Sequence, residues 1–448
     1  MRSLLLGDGE PLFRLSSEDG RGRAVMISSN VLAGIATTLS GGVFYTGFLL
    51  MYGINIVNVG IISLIPNISA LFCLFSGALF SRFRRRKIPL AVARAGYHTL
   101  SILGITLVPE LISDPGGRLA AFIVLMFASH ALNALTTPCY SAWHVRFIPE
   151  SVRARYLSVN QILTNVTALS VALVCSLVAD SLSGTAAEQT VIVGVRYLAF
   201  FIACLDVAAL LIPKECDWSQ EKSMRNPFAG IFRVLHHRKF ALTMLVVFVY
   251  NVASGLTASG LNYYLLDQAK VGYSYISIIN IVYLVFLAVL SGFWQRILAR
   301  RAWFTVFSVC TVLLGLTYFP YSFVNASNFL WLMTAVRLVQ HFIGVGHNVT
   351  VANLPFVNIP DDDRTAAMSL YPLVANTSSL LGQALGTAYI SVTQHDPATL
   401  LNVSYGSVQQ LMALTGFFYV IIGFTCFLFQ RTLSPESDYP KLRPIIRT

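Results

Sequence analysis

Apolar residues are arranged along this chain in long unbroken blocks, without the alternation of a half-buried strand. Ala24 to Ser81 holds no Asp, Glu, Lys or Arg over 58 residues. Further charge-free stretches are Leu119–Val145, Tyr156–Ala179, Phe240–Leu266, Val271–Gln295, Ala302–Val336, Leu338–Pro360, Thr365–His395 and Pro397–Gln430. A helix crosses the hydrocarbon core of a bilayer with about 20 mostly apolar residues, so each stretch holds one span or two. Turn residues and charges divide them into twelve predicted helices, at 25–47, 59–80, 88–108, 119–142, 156–178, 194–213, 240–264, 274–296, 303–323, 328–351, 366–392 and 408–430. The fold class is therefore all-α, a polytopic membrane protein, and the lipid bilayer is its first partner.

Composition agrees. Of 448 residues, 55% are hydrophobic and only 11% charged, against about 25% charged in a soluble domain. Residues 1–23 carry only Leu4-Leu5-Leu6 as an apolar cluster, too little for a secretory leader, which needs an apolar core of about 7–15 residues. They read as part of a polar tail. Seven cysteines, most of them within spans, read as small buried apolar residues, with no disulfide framework. The net charge of +11 would suit nucleic acid, but the cations cluster between spans, where they orient a membrane protein. Assigning loops alternately to two sides puts 26 Lys and Arg on one side and 3 on the other (Arg118, Arg196 and Lys270), with Arg94 and Arg337 inside spans. By the positive-inside rule both termini are cytoplasmic. The expected order is a tail at 1–24, a six-helix bundle at 25–213, a basic cytoplasmic loop at 214–239, a second bundle at 240–430 and a tail at 431–448. Asn325-Ala-Ser and Asn402-Val-Ser are glycosylation sequons by pattern on the outer side.

The two halves repeat. A shift of 211 residues aligns 129–169 with 340–380, setting His130 on His341, Ile148-Pro149 on Ile359-Pro360, Arg153 on Arg364 and Asn165 on Asn376. A shift of 215 sets Gly77 on Gly292 and Arg85-Arg86 on Arg300-Arg301. Two parallel repeats are typical of one large class of transporters. Here the chain resembles the major facilitator superfamily over nearly its whole length. That family's signature after the second helix has a Gly, then an Asp and a basic residue, then a second Gly and two basic residues. This chain reads Gly77-Ala-Leu-Phe-Ser81-Arg82-Phe-Arg84-Arg85-Arg86, with Ser81 in place of the Asp and Arg84 in place of the second Gly. The resemblance implies two pseudo-symmetric six-helix bundles working by alternating access. It makes Gly77, Arg82, Arg85, Arg86, Arg153, Gly292, Arg300, Arg301 and Arg364 candidates for a cytoplasmic gate.

Ionisable groups inside spans cost at least about 2.5–3.5 kcal/mol on insertion scales, so each needs a partner, a cavity or a task. Arg337, Gln340, His341, Gly344, His347 and Asn348 share one face of the tenth helix. Two readings are open for Arg337: an ion pair with a carboxylate such as Asp206 or Asp267, or a cavity stripe that meets solute. The fourth helix presents a milder face with His130, Asn133, Thr137 and Tyr140; the seventh has Tyr250, Asn251, Ser254, Thr257, Asn262 and Tyr263; the first has Asn30, Thr37, Thr38, Tyr45 and Thr46 around Gly41-Gly42. The resemblance implies that these four helices line a central cavity. Arg94 lies close enough to the cytoplasm to snorkel and reads as structural. Asp206 is either a proton-coupling site or half of an ion pair, with His130 and His341 as further proton-coupling candidates. The Gly382–Gly386 pair reads as a helix-packing motif.

No Gly-rich Lys loop, metal-ligand spacing or nucleophile elbow occurs, so no enzyme and no cofactor is expected. The expected function is a monomeric secondary transporter of a small polar or anionic solute in the plasma membrane, with proton coupling as an option. Arg337 and the histidines favour an anion over a cationic drug. A drug efflux antiporter of the same fold is the alternative; a scramblase, receptor or membrane enzyme ranks below it.

Overall fold

The computed structural model describes residues 12, 17–80, 82–215, 233–360, 364–394, 398–400 and 403–435. All twelve expected helices form. In the first half they are α1 (Glu18–Met51), α2 (Ile56–Phe80), α3 (Lys87–Leu111), α4 (Pro115–Arg146), α5 (Glu150–Ser181) and α6 (Glu188–Leu210). In the second they are α7 (Arg238–Gln268), α8 (Tyr273–Arg300), α9 (Trp303–Tyr321), α10 (Phe329–Asn353), α11 (Arg364–Thr393) and α12 (Ser407–Leu428). Among the described residues, eleven of these helices are long and apolar enough to cross a membrane. The twelfth, α11, has 30 residues, about 45 Å at 1.5 Å per residue, and carries Asn376, Thr377, Ser378, Ser379 and Gln383. Large apolar side chains on the outside, such as Val289, Val392, Phe201 and Phe424, form a surface suited to lipid.

Two features depart from the expectation. A small antiparallel hairpin, β1 (Ala398–Leu400) with β2 (Val403–Tyr405), joins α11 to α12. The starts of α1 and α6 also come earlier than expected. Ser17 caps α1 by accepting from the Gly20 amide at 3.1 Å, so Arg21 and Arg23 belong to a helix and not to a tail. Starting α6 at Glu188 moves Arg196, counted with the outer cations at the edge of the expected 194–213 span, to the third turn of the helix, where it is fully buried. Of the three cations expected on the outer side, Arg118 lies in the first turn of α4 and Lys270 just after α7.

By compactness the chain forms two units, residues 1–54, 69–225 and 272–281, and residues 55–68, 226–271 and 282–448. In the first, α1 packs along α5 and α6, and α3 packs on α4 and α6. In the second, α7 packs along α11 and α12, and α9 packs on α10 and α12. The pairing pattern is the same, as a sequence repeat requires. Glycines set the closest approaches. A β-carbon at Gly382 or Gly386 would collide with the carbonyl oxygens of Val252 and Leu256 on α7, so this pair is a packing motif. Gly77 and Gly292 lie in open space instead.

Candidate functional site

The polar residues of the first unit gather around Asp206, which is fully buried. Its carboxylate accepts from Arg94 Nε at 2.6 Å, Arg94 Nη2 at 3.2 Å and Ser29 Oγ at 2.6 Å, and His98 Nε2 lies 3.1 Å away. Thus α6 supplies the anion, α3 the cation and the histidine, and α1 the hydroxyl. Arg94 does not reach for the cytoplasm; a bidentate ion pair with Asp206 neutralises it within the bundle. Its guanidinium also lies 4.7 Å from the ring centre of Tyr140 on α4. Tyr140 donates to Asn30 Oδ1 at 2.8 Å, and Asn30 donates to Asn160 Oδ1 of α5 at 3.0 Å. Five helices therefore meet in one network. His98, Ser29 and Asn160 were not singled out from sequence, although the four-residue spacing of Arg94 and His98 places them on one face of α3.

The other candidates in this unit are more ordinary. His130 meets Tyr97 edge-on at 5.8 Å. Asn133 accepts from Thr137 of its own helix. Tyr45 lies in the core beneath Arg196, 5.5 Å from its guanidinium. Among the gate candidates, Arg86 is buried and sits where the Glu215 carboxylate caps α3, accepting from the amides of Arg86 and Lys87 at 3.2 and 3.0 Å. Arg82 and Arg85 are exposed, Arg153 is half-buried in α5, and Arg300 is exposed at the end of α8, followed by half-buried Arg301. Ser81, Asp361, Asn402 and Cys216 lie outside the described residues, as do the side chains of Glu150 and Arg364.

In the second unit the face of α10 divides in two. His341 turns toward α8, with Tyr283 at 5.3 Å and Phe286 at 6.1 Å, and Asn348 donates to the Tyr283 hydroxyl. Gln340 donates to Thr317 Oγ1 of α9 at 3.1 Å, and His347 lies between Tyr250 of α7 and Phe307 of α9 at 5.1 and 5.6 Å. Arg337 stands between these directions. Its Nη1 donates to Gln340 Oε1 at 3.2 Å and its charge lies 5.4 Å from the Tyr321 ring. Its Nε is buried without a hydrogen-bond partner. Neither conceivable carboxylate serves it, because Asp206 is held by Arg94 and Asp267 pairs with Lys270 at 3.5 Å. Among the other cavity candidates, Asn251 donates to the Val247 carbonyl of its own helix, and Asn262 is half-buried on α7.

No family model matches the sequence, and no curated protein does. Solved structures do match. The nucleoside transporter NupG superposes with a TM-score of 0.67 at 12% identity, covering 91% of this chain and 99% of that one. The chain has the major facilitator fold. A POT family transporter in complex with a thioalcohol-conjugated peptide gives 0.67 at 14%, covering 93% and 97%. The xylose transporter XylE from E. coli, inward open, gives 0.60 at 14%, covering 91% and 95%. At such identities the likeness concerns the course of the helices.

Proposed function

We propose that this chain is a secondary transporter that moves a small polar or anionic solute by alternating access of its two six-helix bundles (25–213 and 240–430), with both termini in the cytoplasm and the plasma membrane as its site. The observation that carries this reading is Arg337. It is a cation inside a span, with no carboxylate beside it among the described residues and with a buried Nε that donates to nothing. Such a group is costly unless an anion completes it, and a planar guanidinium suits carboxylate or phosphate. The similar structures are described as transporters of nucleosides and xylose and as a POT family member holding a conjugated peptide, which supports a small solute without selecting one. A cationic drug fits poorly, because Asp206 is already satisfied by Arg94, His98 and Ser29.

Asp206 is the proton-coupling candidate this reading prefers over His130 and His341. Protonating it would release Arg94 from a bidentate pair and loosen the contact among α1, α3 and α6. Arg153, in the first turn of α5, and Arg364, the first residue of α11, each four residues after a proline, are assigned to the cytoplasmic gate. The test is uptake into proteoliposomes of labelled small carboxylates, phosphate esters and sugars, with and without an imposed inward proton gradient. Saturable uptake of an anion that the gradient accelerates supports the proposal; uptake restricted to cationic compounds contradicts it.

A further inference from the structure

A cavity of about 620 Å³ opens in the first unit, where α1 and α3 end and α4 and α6 begin. Its rim carries Glu110 at the end of α3, Arg118 in the first turn of α4, and Gln189 and Thr190 in the first turn of α6. Below the rim the cavity follows α6 past Val193, Gly194 and Tyr197. Thr190, Val193, Gly194 and Tyr197 stand at i, i+3, i+4 and i+7, so they share one face of the helix. That stretch is about 10 Å long at 1.5 Å per residue. The same face continues as Phe201 and Leu205, which are 61% and 43% exposed. A β-carbon at Gly194 would meet open space. The mouth is charged, and the stripe beneath it is apolar.

Arg118 is held in place by the carbonyl end of α3. Its Nε donates to the Ile112 carbonyl at 2.6 Å and its Nη2 to the Pro109 carbonyl at 3.4 Å. Its charge lies 5.7 Å from the ring centre of Tyr52, whose hydroxyl accepts from Gln189 Nε2 at 3.2 Å. These contacts leave Nη1 without a hydrogen-bond partner among the described residues. The Glu110 carboxylate, exposed on the same rim, likewise has neither a hydrogen bond nor an ion pair among them. Two neighbouring acids are turned to backbone amides instead: Asp114 accepts from Gly117 at 2.6 Å and Glu188 from Gly184 at 2.7 Å. A cation and a carboxylate that line one cavity without pairing suit a ligand that carries both charges. A fixed guanidinium suits a phosphate, and a carboxylate accepts hydrogen bonds from a primary ammonium. The exposed apolar stripe below selects a lipid over a soluble zwitterion, and Tyr52 and Tyr197 are the residues that favour the depth of lipid head groups.

We propose that this cavity binds one phospholipid with a zwitterionic, primary-amine head group: Arg118 takes the phosphate, Glu110 the ammonium, and the α6 stripe from Val193 to Leu205 an acyl chain. Its occupancy does not depend on which solute is carried. Native mass spectrometry of the full-length chain tests it, by titration in detergent with phosphatidylethanolamine, phosphatidylcholine, phosphatidylglycerol and the soluble head group glycerophosphoethanolamine. The first phosphatidylethanolamine should bind about tenfold more tightly than either other lipid, because choline has no N–H to donate and glycerol carries no cation. Glu110→Gln should erase that preference. Gly194→Leu fills the groove and should weaken phosphatidylethanolamine by about tenfold. The ligand-free melting temperature should not fall, since the new β-carbon meets open space; Glu110→Gln, at an exposed position, serves if this variant does not fold. Equal binding of the three lipids by the wild type would overturn the site, as would a preference unchanged in Glu110→Gln or binding unweakened in a folded Gly194→Leu. Glycerophosphoethanolamine should bind roughly tenfold or more weakly than the lipid, because it buries no chain. Equal binding would overturn the lipid assignment in favour of a soluble zwitterion.

Discussion

The α3–α6 pair of the first unit and the α9–α12 pair of the second hold matching places in the repeat, yet they are closed by opposite means. Between α3 and α6 lie charges: Asp206 with Arg94 and His98, and one helical stretch further along, Arg196 on the Ser101 and Ile102 carbonyls of α3. Between α9 and α12 lie glycines. A β-carbon at Gly315 or Gly416 would stand 2.7 Å from the other's carbonyl oxygen, one at Gly423 would stand 2.7 Å from that of Ser308, and Tyr318 packs edge-on against Tyr419. The duplication kept which helices touch, and did not keep the chemistry of the contact. One consequence is electrostatic. The first unit pairs its buried cations Arg94 and Arg196 with its own carboxylate and carbonyls, whereas in the second Arg337 has no carboxylate beside it among the described residues and a buried Nε without an acceptor.

Breaking the charged contact should have the largest effect. Asp206→Ala strands Arg94 without a counter-ion and should destabilise the first unit by about 3–5 kcal/mol, the usual cost of orphaning half of a buried pair. Chemical denaturation in detergent measures it. Adding Arg94→Met should recover most of that loss, so the double variant should be much more stable than the sum of the single changes implies. Additive losses would mean that the pair is not the contact that matters. On the glycine side the expected effect is smaller. Gly386→Ala must push α11 away from the Leu256 carbonyl and should cost about 1–3 kcal/mol, as overpacking does, read as an earlier melt. A smaller effect still is expected at Arg153: Arg153→Ala should leave the melting temperature within a degree or two of the wild type, about 0.5 kcal/mol, and slow uptake without weakening solute binding. Lost binding with an intact fold would move Arg153 from the gate to the solute site.

What the sequence disclosed follows physical lines. The twelve helices were legible because lipid demands long charge-free runs, and the repeat was legible because matched Pro, Arg and His seldom align by chance. Arg94 was read as structural, but its partner was not legible, because depth along its own helix says nothing of the neighbour across the contact; only folding brings Asp206 to it from 112 residues away. Arg196 was set at the edge of its span because Glu188, Gln189 and Thr190 look like loop, yet they form the first turn of α6. The helix break at Gly41–Gly42 was not read from the sequence, since two glycines serve a close helix contact as readily as a break. The hairpin at 398–405 was missed because strands of three residues leave no periodicity to read. The shared face of α10 was correct as a helical projection, but it meets α8 on one flank and α9 on the other, a division that a single helix cannot announce.

The central claim is that Arg337 is held open for an anion, and the most direct test compares ligand-induced stabilisation with intrinsic stability. Purified wild type, Arg337→Lys and Arg337→Gln are melted alone and with a panel of small carboxylates and phosphate esters, since a ligand that binds only the folded state raises the melting temperature. The account predicts that both variants alone melt close to the wild type, within about 1 kcal/mol. It predicts that an anion which stabilises the wild type stabilises Arg337→Lys less, because the planar donor pair is lost, and Arg337→Gln least. A variant that melts early on its own yet keeps the full anion-induced shift would contradict the account and make Arg337 a structural residue.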